Sequence, residues 1–334
     1  MKNELILLAH GSGGKQMRKL IEGFAGKYFS NPILDKMNDF AQIDGGSKTI
    51  VSTDSFVIKP YKFPGGDIGK LAVCGTVNDV ACSGADVKYL TLALIIEEGL
   101  PIADLEDICK SIKKASEEAG VLVIAGDTKV VEHGAADGIY INTTGIGIKS
   151  IDADIGGEFV QPGDKIIING NIGDHAAAIL ACREGLSFTT PSVSDCAPLN
   201  GMVKELLAQC SNVRCMRDPT RGGVATVAGE IARQSKVGIN IFEQALPIEQ
   251  SVLGACELFG MDPLYMANEG KLLIFIAAEE ADKAIEVLRG NKYGKNAAII
   301  GEVTDKKQGV VLQTAIGSSR ILDELTGEIL PRIC

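Results

Sequence analysis

The sequence has no tryptophan, and aromatic residues make up 5% of its 334 positions. It also lacks excess positive charge: the net charge is -10 and the pI is near 5.0, which argues against a nucleic-acid backbone as partner. No apolar run is long enough for a bilayer span, so no membrane partner is expected. The short apolar stretch before His10 is also too brief for a secretory signal. Nine cysteines, an odd number, include no Cys-x-x-Cys pair, so neither a disulfide framework nor a thiolate zinc site is indicated. A reducing, cytoplasmic setting is expected, in which thiols persist. No Gly-x-Gly-x-x-Gly opens a helix after the first strand and no Walker A motif occurs, which disfavours the common dinucleotide and P-loop folds. His10, His133 and His175 are too widely spaced to read as one metal set, and no Ser-His-Asp arrangement has support.

What is present is glycine, at 39 positions, between short apolar runs. Strands are predicted at Leu5 to Ala9, Thr49 to Thr53, Tyr89 to Ile96, Val121 to Ala125 (continuously apolar and so expected to be buried) and Ile139 to Ile148. The clearest helix runs from Pro101 to Ala119, with Ile102, Leu105, Ile108, Ile112 and Ala115 at spacings of three and four. Others are predicted from Lys15 and over Ile68 to Ala81, where Gly75 is an awkward guest. The glycine- and acid-rich stretch from Asp152 to Pro162 marks a boundary. Beyond it strands and helices alternate again, up to a strand at Val310 to Gln313. This pattern predicts an α/β protein with mixed, α+β-like sheets rather than a doubly wound parallel sheet. Three parts are expected: residues 1–153, 154–313, and a mobile C-terminal tail over 314–334, with a brief helical segment near Ile321 and Leu325.

Carboxylates recur beside strand ends and glycine turns. Asp54 and Asp127 are each expected to end a strand, Asp79 follows Asn78, and Asp67 lies in the turn Phe63-Pro64-Gly65-Gly66-Asp67. Hard oxygen ligands of this kind suit Mg²⁺ beside phosphate oxygens, though aspartates are also common turn and cap residues. The loop His10-Gly11-Ser12-Gly13-Gly14 and the pair Gly65-Gly66 can direct backbone amides at phosphates. Lys129 can reach a transferred phosphoryl group or simply be solvated. Arg217 and Arg221, in the turn before the helix that follows Gly222-Gly223, suit an anion at a helix N-terminus or a structural ion pair. Glu269, just ahead of an apolar strand, is either a surface turn residue or, if desolvated, a general base.

The final residue, Cys334, buries little area as an unpacked terminus, so reactivity is the better reason for a thiol there, with a frayed end as the plain alternative. Extended at roughly 3.3 Å per residue, the stretch from Val311 onward reaches on the order of 80 Å. That is enough to deliver the thiol to a pocket of its own chain or of a partner.

Together, Leu8-Ala9-His10-Gly11-Ser12-Gly13-Gly14, Ser52-Thr53-Asp54, the Phe63 turn, Gly75-Thr76-Val77-Asn78-Asp79, Gly126-Asp127-Thr128-Lys129, Arg217-Asp218-Pro219-Thr220-Arg221-Gly222-Gly223, Asn268-Glu269-Gly270-Lys271 and the ending Pro331-Arg332-Ile333-Cys334 resemble the HypE family of hydrogenase maturation factors. These carbamoyl dehydratases belong to the aminoimidazole ribonucleotide synthetase-like superfamily. The match spans essentially the whole chain; Ala176 after His175 departs from the glycine associated with the family there. The resemblance implies a two-domain fold of that superfamily with a C-terminal tail, and a homodimer formed through the N-terminal domains. It further implies ATP-dependent dehydration of a carbamoyl group on Cys334 to a thiocyanate, the source of the cyanide ligand of the hydrogenase iron. HypF would load the carbamoyl group and the HypC–HypD complex would receive the cyanide. By resemblance Cys334 is the carrier, Glu269 the base, and Lys129 the phosphoryl-stabilising cation. Asp54, Asp79 and Asp127 would hold Mg²⁺. Gly11, Gly13, Gly14, Gly65, Gly66, Asp67, Asn78, Thr128, Arg217 and Arg221 would surround ATP. A phosphotransferase of the selenophosphate synthetase type, or a bare carrier of Cys334, stands as the alternative reading.

Overall fold

The computed structural model describes residues 15, 18, 19, 36, 41–44, 48–149, 154–185, 192–306, 309–325, 327 and 330–334. The strand expected at Leu5 to Ala9, the Gly11 to Gly14 loop and most of the helix expected from Lys15 lie outside the described residues.

The first half forms a five-stranded sheet in the order β1-β2-β7-β5-β6. Its strands are β1 (Ala41–Asp44), β2 (Lys48–Phe56), β5 (Asp86–Glu97), β6 (Leu122–Val131) and β7 (Ile139–Ile148), with a small hairpin of β3 (Lys62–Phe63) and β4 (Gly66–Asp67) leading into helix α1 (Ile68–Cys82). Only β5 and β6 run parallel, because helix α2 (Ile102–Ala119) carries the chain back between them. α2 buries the stripe Ile108, Ile112, Ala115 and Ala119 and stops at Gly120, whose φ of 69° suits a left-handed cap. α1 is different: it is apolar on nearly every side, as a helix covered all round must be. One side lies on the first sheet, and α2 and the second half of the chain cover the rest.

That second half is a seven-stranded sheet ordered β14-β13-β10-β12-β8-β11-β9. It comprises β8 (Lys165–Ile168), β9 (Val213–Arg217), β10 (Gly238–Phe242), β11 (Leu273–Ile276), β12 (Ala298–Thr304), β13 (Val310–Gln313) and β14 (Ser319–Leu322), with α3 (Asp174–Arg183), α4 (Asn200–Gln209), α5 (Gly223–Ser235), α6 (Gln250–Phe259) and α7 (Ala281–Gly290). Side chains alternate across it as pleating requires. Ile166, Ile168, Leu273 and Phe275 join α5 in one core, whereas Ile167, Ile274 and Ile276 join the larger core that includes α1. Both sheets are mixed, as the sequence pattern predicts.

Two elements differ from expectation. β14 pairs antiparallel with β13, so the stretch after Gln313 begins as an edge strand, not as a helical segment in a free tail. β6, expected to be buried because Val121 to Ala125 is continuously apolar, is an exposed edge strand that continues through Asp127 and Lys129. Leu122, Ile124 and Val130 stay exposed among the described residues, since nothing there covers the strand.

Candidate active site

The site lies where α1 and β2 of the first sheet meet three loops of the second half. Asn78, on α1, is 1% exposed, and its side-chain amide joins them: Nδ2 donates to the Ala197 and Glu269 carbonyls at 3.0 and 3.4 Å, and Oδ1 accepts from Leu199 N–H at 2.8 Å. An amide buried with its partners arranged this way is a strut. Asn268 plays the same part within the second half, accepting from Gly173 N–H at 2.8 Å and donating to the Pro219 and Met266 carbonyls at 3.0 and 2.9 Å. It thereby ties the loop before α3 and the loop before α5 to the Asn268–Lys271 turn.

Asp195 fixes that turn. Its carboxylate accepts from the backbone N–H groups of Glu269 and Gly270, each at 3.1 Å, and from Lys271 Nζ at 2.8 Å. Burial works to raise its pKa, but Lys271 and its other partners outweigh that and hold it below the usual carboxylate value. Glu269 is the opposite case. It is 3% exposed, and burial, with Cys196, Asp218, Asp195 and Asp54 nearby, pushes its pKa well above the ordinary value. Its Oε1 is buried without a hydrogen-bond partner among the described residues, the signature of a group kept for something other than packing.

Cys334 sits in this same place, folded back into its own chain and 9% exposed. Its carbonyl accepts from Val57 N–H at 3.0 Å, and the Arg332 carbonyl accepts from Lys59 N–H at 3.2 Å, so the last residues lie alongside the segment that follows β2. Arg332 donates from Nε to the Val57 carbonyl at 2.7 Å and pairs with Asp137 at 2.5 Å. From the second half, Arg183 donates to the Arg332 carbonyl at 2.6 Å and His175 meets the Ile333 carbonyl at 2.8 Å. Burial pushes the Cys334 thiol up to about 12, against the opposing influence of the Arg221 guanidinium beside it. Arg221 in turn is raised by Cys334, Asp54, Glu269 and Asp79. One cation, two candidate ligands, the candidate base and the thiol therefore share one enclosure.

Asp54 lies within β2 rather than at its end, and burial raises its pKa against Arg221. Asp79 accepts from Ser52 Oγ at 2.8 Å. Asp127 is not with them. The register aligns it with Ala93, Asn142 and Ser55, the neighbour of Asp54, so Asp127 and Asp54 face opposite sides of the sheet. Lys129 shares that outer face and pairs with Asp127 at 2.8 Å. Thr128 faces the other way. Among the described residues no group of three His, Cys, Asp or Glu side chains is gathered to hold a metal. Asp67 caps α1, accepting from Lys70 N–H at 2.9 Å. Gly65, at φ 98°, lets that hairpin approach the second half: a Cβ there would meet Ser194 O and Val193 Cγ1 at 2.8 Å. Gly66 lies in the same hairpin, against Lys70 and Phe63. Arg217 pairs with Glu230 at 3.1 Å, on the α5 side. Gly11, Gly13 and Gly14 lie outside the described residues. Asp195, Arg183 and Asp137 carry no motif in the sequence, and only the fold brings them and His175 here.

The family model of the N-terminal domain of AIR synthase related proteins matches residues 37–149, and that of the C-terminal domain matches residues 161–313. The carbamoyl dehydratase HypE of Azotobacter vinelandii is 48% identical over the whole of this chain and 98% of its own length. The chain belongs to the HypE family. A HypE solved in complex with ATP superposes with a TM-score of 0.84 at 46% identity, covering 99% of this chain and 100% of that one. A HypE solved in a HypE–HypF complex gives 0.88 at 49% identity, covering 92% and 99%. Those HypE structures share both mixed sheets with this chain, so the enclosure around Cys334 belongs to a HypE fold.

Proposed function

We propose that the enclosure dehydrates a carbamoyl group borne by Cys334 to a thiocyanate. The chain is an ATP-dependent carbamoyl dehydratase that supplies the cyanide precursor of hydrogenase maturation. What supports the site reading most directly is the seating of Cys334 beside Glu269 and Arg221 of its own chain. A bare carrier would have no reason to bury its thiol near a carboxyl with one oxygen left without a hydrogen-bond partner among the described residues.

Bound ATP supplies the phosphoryl group that turns the carbamoyl oxygen into a leaving group, and Mg²⁺ offsets its charge. The donor set fits: Asp54 and Asp79 offer hard oxygens at the inner end of the enclosure. Arg221 offsets negative charge on the carbamoyl oxygen and its phosphoryl acceptor position. One N–H proton leaves as the oxygen is phosphorylated, and Glu269 takes the second as the C–O bond breaks and inorganic phosphate departs, so the nitrogen closes to a nitrile while the sulfur stays attached to the tail. Docking holds the reacting carbon at high effective concentration.

Residues 1–153 bind nucleotide and form the homodimer, 154–313 carry the Glu269 and Arg221 loops, and the stretch from 314 carries the thiol. The outer face of the first sheet, with Tyr89, Ile95 and Ile148 exposed, is the dimer surface. Asp127 and Lys129 serve the magnesium nucleotide across it, Thr128 from the opposite face of the same edge strand, together with the Gly11–Gly14 and Gly65-Gly66 backbones, while Asp67, Asn78 and Arg217 support the walls. HypF carbamoylates Cys334 and HypC–HypD receives the cyanide, in the cytoplasm. No helix of the described residues is long and apolar enough to cross a membrane.

The test is the intact mass of the purified chain incubated with the carbamoylating partner and then with ATP and Mg²⁺. The carbamoylated species is expected to lose one water, and Cys334→Ala to show neither change. A carbamoylated chain unaltered by ATP would refute the reading.

A further inference from the structure

Of the contacts that seat the tail, one side chain touches both the tail and the segment that fixes Glu269. His175, in the first turn of α3, is wholly buried. Its Nε2 lies 2.8 Å from the Ile333 carbonyl and its Nδ1 lies 2.8 Å from Ser194 Oγ. A carbonyl oxygen only accepts, so Nε2 carries the hydrogen; burial keeps the ring neutral, so Nδ1 accepts from the Ser194 hydroxyl. Ser194 Oγ also accepts from Cys196 N–H at 3.2 Å, and its own N–H donates to the Pro64 carbonyl at 2.9 Å. The ring is further held edge-on by Phe63, with centroids 5.5 Å apart. Between Ser194 and Cys196 stands Asp195, whose carboxylate holds the Glu269 and Gly270 amides. One short segment, 194–196, therefore sets the tautomer of His175 at one end and the position of Glu269 in its middle.

We propose that His175 is the positioning residue of this reaction: through Nε2–H it fixes the Ile333 carbonyl, and so places the sulfur of Cys334 in register with Glu269. The inference rests on the dehydration reading above. It explains why the tail is gripped at the carbonyl next to the reactive residue, where a displacement passes directly to the sulfur. Arg183, Lys59 and Asp137 act farther back, on Arg332 and its carbonyl, and anchor the tail without orienting its last residue. His175 does not touch the reacting atoms, so its removal lowers the rate through geometry.

Three full-length variants separate this from a purely structural role. Gln at 175 keeps an amide donor near the Nε2 position, Asn keeps a polar group only near Nδ1, and Leu keeps neither. Each is labelled with iodoacetamide and the cysteine peptides are quantified. Exposed Cys109 serves as the reference, and buried Cys215 reports any loss of fold. Each is also carbamoylated and followed by intact mass in a single turnover with ATP. We expect His175→Leu and His175→Asn to raise Cys334 labelling about tenfold and slow water loss about tenfold, with Cys215 still protected. His175→Gln is expected to recover most of both. Equal behaviour of Gln and Asn, or unchanged labelling in His175→Leu, would overturn the proposal. If Cys215 became reactive in His175→Leu, the comparison of Gln with Asn would decide alone. Absence of water loss in the unsubstituted chain would instead count against the dehydration reading, while the labelling pattern still judged the contact.

Discussion

At the scale of the residue, the chemistry turns on a carboxyl that burial holds in its neutral form. Glu269 has its carboxyl pushed well above the ordinary value by desolvation and by its acidic neighbours. Below that raised value it is protonated and cannot accept the amide proton. The single-turnover rate of water loss is therefore expected to rise with pH, with a midpoint above the normal carboxylate range; a flat profile down to pH 4 would remove Glu269 as base. Glu269→Gln keeps the shape and removes the base, and a loss of about 10²- to 10⁴-fold in that rate is expected, with ATP affinity by calorimetry unchanged. Asp174 offers a separate test. Burial, then Asp195, raise it to about 7, well above the ordinary aspartate value. The folded value exceeds the unfolded one, so its contribution to stability is full below about pH 4 and is lost as pH rises through 7. Allowing for its partial exposure, Asp174→Asn is expected to stabilise the fold by about 2 kcal/mol at pH 8 and to give little at pH 4, measured by urea unfolding.

Among the elements, the tail and the β3–β4 hairpin decide whether the enclosure closes. Arg332 spans two anchors of the first half, the Val57 carbonyl and Asp137, and lies over the Tyr140 ring at 5.7 Å. Asp137→Ala leaves one of them. Cys334 is expected to react with iodoacetamide several times faster, while Cys109 labels at its former rate; equal Cys334 rates would show that the latch contributes nothing. The hairpin presses its turn against the 193–194 segment so closely that position 65 has no room for a side chain. Gly65→Ala meets both that contact and a φ of 98°, and is expected to cost about 2 kcal/mol or more in urea unfolding.

The whole molecule is two mixed sheets sharing one core through α1, with the tail laid across their junction. Its outer first-sheet face carries Tyr89, Ile95 and Ile148 beside Asp127 and Lys129. Ile95→Glu is expected to give a monomer by sedimentation and to lose ATP-dependent water loss together with the dimer. A fully active monomer would place the nucleotide wholly within one chain. Chelation of Mg²⁺ by EDTA is expected to stop the reaction, and added Mg²⁺ to restore it.

The sequence by itself determined the element types, because period and punctuation are local: the Ile108-Ile112-Ala115 stripe reads as a helix and the alternation of Ile139 to Ile148 as a strand. It also marked Cys334, Glu269 and Arg221 through motif chemistry. It did not disclose that Glu269 is buried, since its neighbours in the turn are polar, and the groups whose charge adds to the effect of burial, Cys196, Asp218 and Asp54, are all distant in sequence. Nor did it place Asp127 on the opposite face from Asp54, because facing follows from strand register. A continuous apolar run looks the same whether a core or a partner covers it, so β6 was legible as a strand but not as an exposed edge. Asp195, Arg183 and Asp137, and the contacts of His175, became visible only in the tertiary structure. Each works through contacts to backbone or side-chain groups far along the chain, and such contacts leave no periodic trace in the sequence.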